Sequence, residues 1–201
     1  EAYTPWEWHP RLKKYAEELD LILFSTPFDK TAVDFLEDMN VPAYKVASFE
    51  ISDIPLIEYI ASKGKPILIS TGIATLADIE EAVAACRRQK NNNIALLKCT
   101  SSYPAPLEEA NLLTIPNLRE TFNVIPGLSD HTIGSVAAIA SIALGAKIIE
   151  KHFIIDRNIG GPDSTFSMEP EEFKKMVNDI RKTETALGMI NYELKTSAKN
   201  S

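Results

Sequence analysis

The chain has 201 residues, 45% hydrophobic and 24% charged, which is enough for one domain with its own core. A net charge of −7 argues against a nucleic acid or an acidic membrane as partner, because both need a broad basic face. Cys86 and Cys99 are two isolated thiols with no CxxC, so a reduced, cytoplasmic setting is expected rather than a disulfide framework.

Residues 1–6 have neither the charged start nor the apolar stretch of a signal peptide, and no initiator methionine. The chain is therefore expected to begin inside a longer protein. No run approaches the ~20 apolar residues of a membrane-spanning helix. A helix is expected over 9–19, with His9 as a surface residue at its start. Six short runs rich in β-branched residues then follow at 21–26, 43–47, 66–70, 94–99, 123–128 and 147–153. Their starts are 22, 23, 28, 29 and 24 residues apart. They are continuous rather than alternating, as parallel strands covered on both faces are. Pro126 interrupts the fifth run and predicts a bulge or an early end to pairing.

Helical patterns separate the runs. The first, 29–39, opens on Asp29 as N-cap. The second, 53–63, closes at Gly64. The third, 75–90, starts with the capping pattern Thr75-x-x-Asp78. The last two are 132–144, ending at Gly145, and 170–187, between Pro170 and Gly188. Repeated βα units of about 25 residues point to an α/β fold. No GxGxxG follows the first run, and polar residues gather at the C-terminal end of nearly every strand. The expectation is a (β/α)8 TIM barrel truncated to its last six βα units, over residues 1–190. Residues 191–201 read as a polar tail or a linker.

The strand ends carry hydroxyls, lysines, acids and two of the three histidines. Hydroxyls and lysines suit phosphate and carboxylate oxygens. Ser70-Thr71-Gly72 before a helix adds backbone donors. His131 and His152 end neighbouring strands, about 4.8 Å apart in a parallel sheet, so their imidazoles are placed to share a divalent metal. Two core histidines with satisfied hydrogen bonds would give the same pattern. Lys45 sits mid-strand in an apolar setting, which is costly unless it meets an anion. Reaching one site with both Lys45 and Ser48 needs a twist or bulge, since period two puts them on opposite faces. Lys98 raises a Schiff-base aldolase as a rival, against the simpler reading that it points toward the helix layer. Asp163, in a Gly-rich loop, either binds sugar hydroxyls or nucleates a turn.

Several blocks, in order, resemble the sialic acid synthase family. They are Phe24-Ser25-Thr26-Pro27-Phe28-Asp29, Tyr44-Lys45-Val46-Ala47-Ser48-Phe49-Glu50, Ile69-Ser70-Thr71-Gly72, Leu128-Ser129-Asp130-His131-Thr132 and Glu150-Lys151-His152-Phe153. Together with Cys99-Thr100-Ser101-Ser102-Tyr103 and Gly160-Gly161-Pro162-Asp163, they are most similar to the family's pseudaminic acid synthase branch.

The resemblance implies condensation of phosphoenolpyruvate with a 2,4-diacetamido-2,4,6-trideoxy hexose. It implies Thr26, Lys45, Ser48, Ser70 and Ser129 on the phosphate and carboxylate, and Glu50, Tyr103 and Asp163 facing the sugar. Lys45 and Glu50 would be catalytic. His131 and His152 would hold Mn2+, or Mg2+ or Co2+. Ser101 stands where N-acetylneuraminate synthases usually carry asparagine, so the substrate contact there would be made by a shorter hydroxyl. An acid and a lysine from two earlier strands and a C-terminal domain complete the family's site in a homodimer, so residues 1–201 alone are expected to be poorly active. The alternatives are an N-acetylneuraminate or legionaminate synthase, the Lys98 aldolase, and a non-catalytic sugar-acid binding fragment.

Overall fold

All five strands of the sheet run parallel, and each pairs with the strand that precedes it in sequence. The computed structural model describes residues 4–193. The strands are β1 (Tyr44–Val46), β2 (Ile67–Ser70), β3 (Ile94–Cys99), β4 (Ile125–Asp130) and β5 (Ile148–Lys151), in spatial order β1-β2-β3-β4-β5. Helices cover one face as the sheet curls into a half-barrel. They are α1 (His9–Glu18), α2 (Lys30–Asp38), α3 (Ile54–Ser62), α4 (Leu76–Arg88), α5 (Thr114–Phe122), α6 (Val136–Ala143) and α7 (Pro170–Leu187). This is the βα repeat that the spacing of apolar runs predicts.

The helix starts follow from their caps. The Asp29 carboxylate accepts from Ala32 N at 2.8 Å. Thr75 and Asp78 close a reciprocal capping box at the head of α4. Outward-facing side chains of β1–β3, such as Val46, Ile67 and Ile69, pack against α2, α3 and α4 in one core cluster. A second joins Leu128 and Ile149 to α6 and to Met176 and Ile180 of α7.

Five expectations change. The first run, 21–26, forms no strand of the sheet. It contributes a single parallel bridge, Ser25 to Tyr44, with Lys45 N donating to Ser25 O at 3.2 Å. Leu21 and Ile22 are exposed, and among the described residues this segment has neither a second neighbour nor a covering layer to extend it. The six predicted units are thus five strands and one bridged segment.

Pro126 makes no bulge. It pairs in register with Leu96, and its carbonyl accepts from Lys147 N at 2.8 Å. Both backbone groups of a residue in a parallel strand face the same neighbour. Its missing N–H therefore faces β5 one residue before that ladder opens at Gly127 and Ile148.

The helix expected from 132 begins only at Val136. The Asp130 carboxylate accepts from Thr132 N and Thr132 Oγ1, which turns the chain at 130–132. α5 was not expected, although Ile115, Leu118 and Phe122 are buried at helical spacing. His9 is half-buried rather than on the surface, with its ring edge-on to Phe35 at 5.5 Å. Of the predicted tail, residues 191–193 are exposed and irregular, and 194–201 lie outside the described residues.

Candidate active site

The site grows out of the register of β3, β4 and β5. Leu97, Gly127 and Ile148 form one cross-strand row, and Cys99, Ser129 and Glu150 form the row two residues on. Period two puts both rows on the concave face. Continuing the count brings Ser101, His131 and His152 together just past the strand ends. Residues of the alternate row, Lys98, Leu128 and Ile149, face the helices.

A cleft of about 250 Å³ opens there, lined by Thr26, Lys45, Ala47, Ser48, Ser70, Cys99, Tyr103, Ser129, His131, Glu150 and His152. A larger groove of about 790 Å³ along α1, lined by Glu7, Trp8, Arg11, Leu12, Lys14, Tyr15 and Glu18, includes none of the strand-end residues. Eight of the residues expected in the site are therefore in one cleft. Ser101 lies at its wall, with Oγ 3.9 Å from Cys99 Sγ. Asp163 sits at the rim, its Oδ2 3.6 Å from His152 Nδ1. Glu50 does not line the cleft. Its Oε2 is buried without a hydrogen-bond partner, although its charge is felt by Lys45.

Lys45 is buried at 7% exposure. Its Nζ donates to Ser70 Oγ at 2.7 Å and to Val46 O at 3.0 Å, and lies 3.6 Å from Glu150 Oε2. Burial pushes its pKa below that of an ordinary lysine, and the Glu150 charge offsets part of the shift. Ser48 reaches the same cleft because β1 stops at Val46 and the chain enters a 3-10 turn at Ser48–Ser52. That turn is the device the strand period required. Ser48 Oγ accepts from Gly72 N at 3.1 Å, which draws the 70–72 backbone to the site.

Sequence reasoning left Ala47, Cys99 and Glu150 out of the site, and of these Glu150 makes the contacts that matter most. It accepts from Ser129 Oγ at 2.8 Å and links that hydroxyl to Lys45. The signal was its spacing, since it shares a strand face with His152.

The two imidazoles lie with ring centroids 5.2 Å apart. The Tyr103 ring rests on His131 at 4.3 Å, and Phe166 packs against His152 at 4.9 Å. His131 Nδ1 is 2.9 Å from Thr100 O, a carbonyl that only accepts, so Nδ1 carries a proton and the lone pair of the neutral ring is on Nε2. Burial disfavours the imidazolium, but Cys99 Sγ and the Thr100 carbonyl outweigh it and leave the His131 pKa raised. His152 is pushed down by burial and then by the charge of His131.

Lys98 does not reach the cleft. Its Nζ donates to Cys99 O at 2.7 Å and to Thr100 Oγ1 at 3.1 Å on the helix side. This geometry opposes the Schiff-base reading. Cys86 is buried in the core, which raises its thiol to about 12. Burial also works against the Cys99 thiolate, but contacts with His131 and Ser48 leave its pKa lowered. A thiol reagent is therefore expected to label Cys99 first in the native protein, with Cys86 reacting only on unfolding. Mass mapping after brief alkylation checks this, and early labelling of Cys86 would contradict it.

Fold and site together define a parallel βα half-barrel whose strand ends place a lysine and hydroxyls beside paired imidazoles. Residues 1–192 match the NeuB family, and the chain belongs to it. It is 51% identical to a pseudaminic acid synthase of Helicobacter pylori over 187 residues, 93% of this chain and 55% of that protein. It is 42% identical to an N,N'-diacetyllegionaminic acid synthase of Campylobacter jejuni over 182 residues, 90% of this chain and 54% of that protein. A crystal structure of an N-acetylneuraminic acid synthetase from Leptospira borgpetersenii, in complex with citrate, superimposes with a TM-score of 0.93 at 33% identity, covering 99% of this chain and 70% of that one. The chain spans about half the length of the curated relatives it matches.

Proposed function

We propose that this chain carries the anion-binding and metal-binding part of a synthase that condenses phosphoenolpyruvate with a diacetamido hexose to give pseudaminic acid. The observation that carries the reading is the shared cleft, in which Lys45 and its hydroxyl partners sit beside His131 and His152. The stronger identity to the pseudaminic than to the legionaminic relative supports the choice of sugar.

The residues present fit a divalent ion. His131 offers a free Nε2, His152 stands beside it, and the Asp163 and Glu150 carboxylates are near. Among the described residues, no group of three or more His, Cys, Asp or Glu closes a cage. Two protein ligands leave positions open for substrate oxygens and water, as a catalytic ion requires. Bound there, the ion supplies Lewis-acid polarisation of the sugar aldehyde.

The chain's own groups do the rest. Lys45, Ser48, Ser70, Ser129 and Thr26 hold the phosphate and carboxylate of phosphoenolpyruvate, with the Gly72 amide behind Ser48. Their fixed dipoles face the charge that develops when the enol carbon attacks the aldehyde and water adds at the phosphate-bearing carbon. Collapse breaks that carbon's C–O bond and releases phosphate. Tyr103 and Asp163, at the mouth, take the sugar.

The test is phosphate release by the full-length protein with Mn2+, using 2,4-diacetamido-2,4,6-trideoxyaltrose or N-acetylmannosamine, with and without chelator. Release with the altrose sugar alone, abolished by chelator, is expected. Release with N-acetylmannosamine instead would move the substrate to the neuraminic type. Release that survives chelation would remove the metal.

A further inference from the structure

Behind the two histidines, on the helix side of the sheet, lies an ion pair that touches no part of the cleft. Asp130 and Lys151 are direct cross-strand partners of β4 and β5, one row beyond Ser129 and Glu150. Lys151 Nζ is 2.8 Å from Asp130 Oδ2, and both side chains are 1% exposed. The second Asp130 oxygen accepts from Thr132 N at 2.9 Å and Thr132 Oγ1 at 2.8 Å. Lys151 Nζ also donates to the Thr132 carbonyl. Residue 131 is thus bracketed: the side chain before it and the carbonyl after it are tied to a lysine on the next strand, and the amide after it is tied back to Asp130. That lysine immediately precedes His152.

Isolated charges are costly at this depth, and a buried pair is weak evidence for stability. An apolar pair of similar volume would fill the same space. What the pair adds is direction, because it fixes the turn after β4 against the end of β5. On the other face, Ser129 and Glu150 make the matching contact at 2.8 Å. The strand ends are pinned from both sides at the point where the two imidazoles emerge.

We propose that Asp130 and Lys151 are positioning residues that set how tightly and in what geometry His131 and His152 hold a divalent ion. The inference rests on the metal reading above. Outer contacts that orient metal-binding histidines commonly change metal affinity by about 10- to 100-fold when removed.

The experiment measures Mn2+ affinity of the full-length protein from the electron paramagnetic resonance of free Mn2+, alongside thermal unfolding. Asp130→Asn/Lys151→Met removes both charges together, so none is stranded, and Asn keeps an acceptor for Thr132 N. The expected result is Mn2+ binding weakened about 10- to 100-fold. The unfolding temperature is expected to stay within a few degrees. Phosphoenolpyruvate binding without metal is expected to stay within about twofold, because Lys45 and Ser70 lie on the opposite face. Lys151→Arg restores a long cationic donor and is expected to bind Mn2+ within about threefold of the unaltered protein, whereas Lys151→Gln is expected to be clearly weaker.

A folded double variant with unchanged Mn2+ affinity overturns the proposal. So does equal weakening toward Mn2+ and phosphoenolpyruvate, which would mean general loosening. Should the double variant fail to fold, equal affinity in the Arg and Gln variants overturns it. If the unaltered protein binds no Mn2+, the metal reading falls and the positioning role falls with it. An intact metal reading with indifferent variants removes only the positioning role.

Discussion

Lys45→Met is expected to lower kcat/KM of the full-length protein by about 10³-fold while leaving its stability unchanged or slightly raised. If the lysine is held for an anion, as proposed above, rather than for the fold, the two effects have opposite signs. Its ammonium is buried, and burial lowers its pKa, so the folded protein bears a cost for keeping it charged. Methionine fills the same stem without that cost. Glu150, its partner, is 42% exposed in the side chain, so removing the lysine strands no buried carboxylate. The hydroxyl of Ser70 loses its donor but remains beside the cleft. Catalysis has no such substitute. On the proposed function, a charge-assisted contact to phosphate or carboxylate disappears from a preorganised site, and losses of about 10²- to 10³-fold are typical for one such donor.

The pH dependence has a definite sign. A lysine whose folded pKa is depressed has already released its proton in the native state while the unfolded chain still binds one. Stability therefore rises with pH between the folded pKa of Lys45 and its ordinary value of 10.5, and that increment is absent from the variant. Steady-state kinetics and thermal unfolding between about pH 8 and 10.5 test both halves. Activity within about tenfold of the unaltered protein, or a large drop in stability, would show that Lys45 is structural.

Much of this was legible in sequence because parallel strands buried on both faces leave continuous apolar runs. Four of the six predicted runs coincide with a strand of the sheet to within a few residues, and a fifth, 43–47, contains the short β1. The exception, 21–26, fails for a tertiary reason: an edge segment's pairing depends on neighbours, which its own residues do not encode. Pro126 misled because the rule against proline in a central strand counts a lost donor, and here that donor faces a point where the ladder has not yet begun.

The candidate site was legible where chemistry and period agreed. His131 and His152 stand two residues past Ser129 and Glu150 on the same face, so simple counting places them together. Glu150 falls in the same count, but its role depends on Ser129 and Lys45, which only the fold brings to it. The Ser48 route was not readable. A 3-10 turn after a three-residue strand depends on where the ladder to β2 stops, and that is set by the partner strand. The outward row was also opaque. Asp130 and Lys151 look in sequence like further site residues, and only the register shows that they face the helices.

Two glycines separate what the fold needs from what the site needs, and replacing each with alanine is expected to fail differently. Both have ordinary backbone angles, so neither is strained by conformation, and only space decides. At Gly127 an added Cβ would lie 2.4 Å from Leu97 Cδ2, 2.7 Å from the Ile148 carbonyl oxygen and 3.1 Å from Ile148 Cβ. The carbonyl belongs to β5, paired in register with Gly127, so relief requires the strands to part. Leu97 is fully buried and cannot swing into solvent. Gly127→Ala is expected to destabilise by about 3 kcal/mol, near the upper end for overpacking.

At Gly72 the new Cβ would meet Ser101 Oγ at 2.1 Å, Ser48 Oγ at 2.8 Å and Cys99 Sγ at 2.9 Å. These are side-chain ends, and they can rotate away. Stability is then expected to fall by no more than about 1 kcal/mol. The rotation breaks the contact between Gly72 N and Ser48 Oγ and pushes both hydroxyls out of place. For a site that works through fixed dipoles, displacement on this scale costs about 10²-fold in kcat/KM. Urea unfolding and kinetics on both variants give the comparison. If Gly72→Ala retains full activity with a normal fold, then Ser48 and Ser101 do not hold substrate, and the anion cradle narrows to Lys45, Ser70, Ser129 and Thr26.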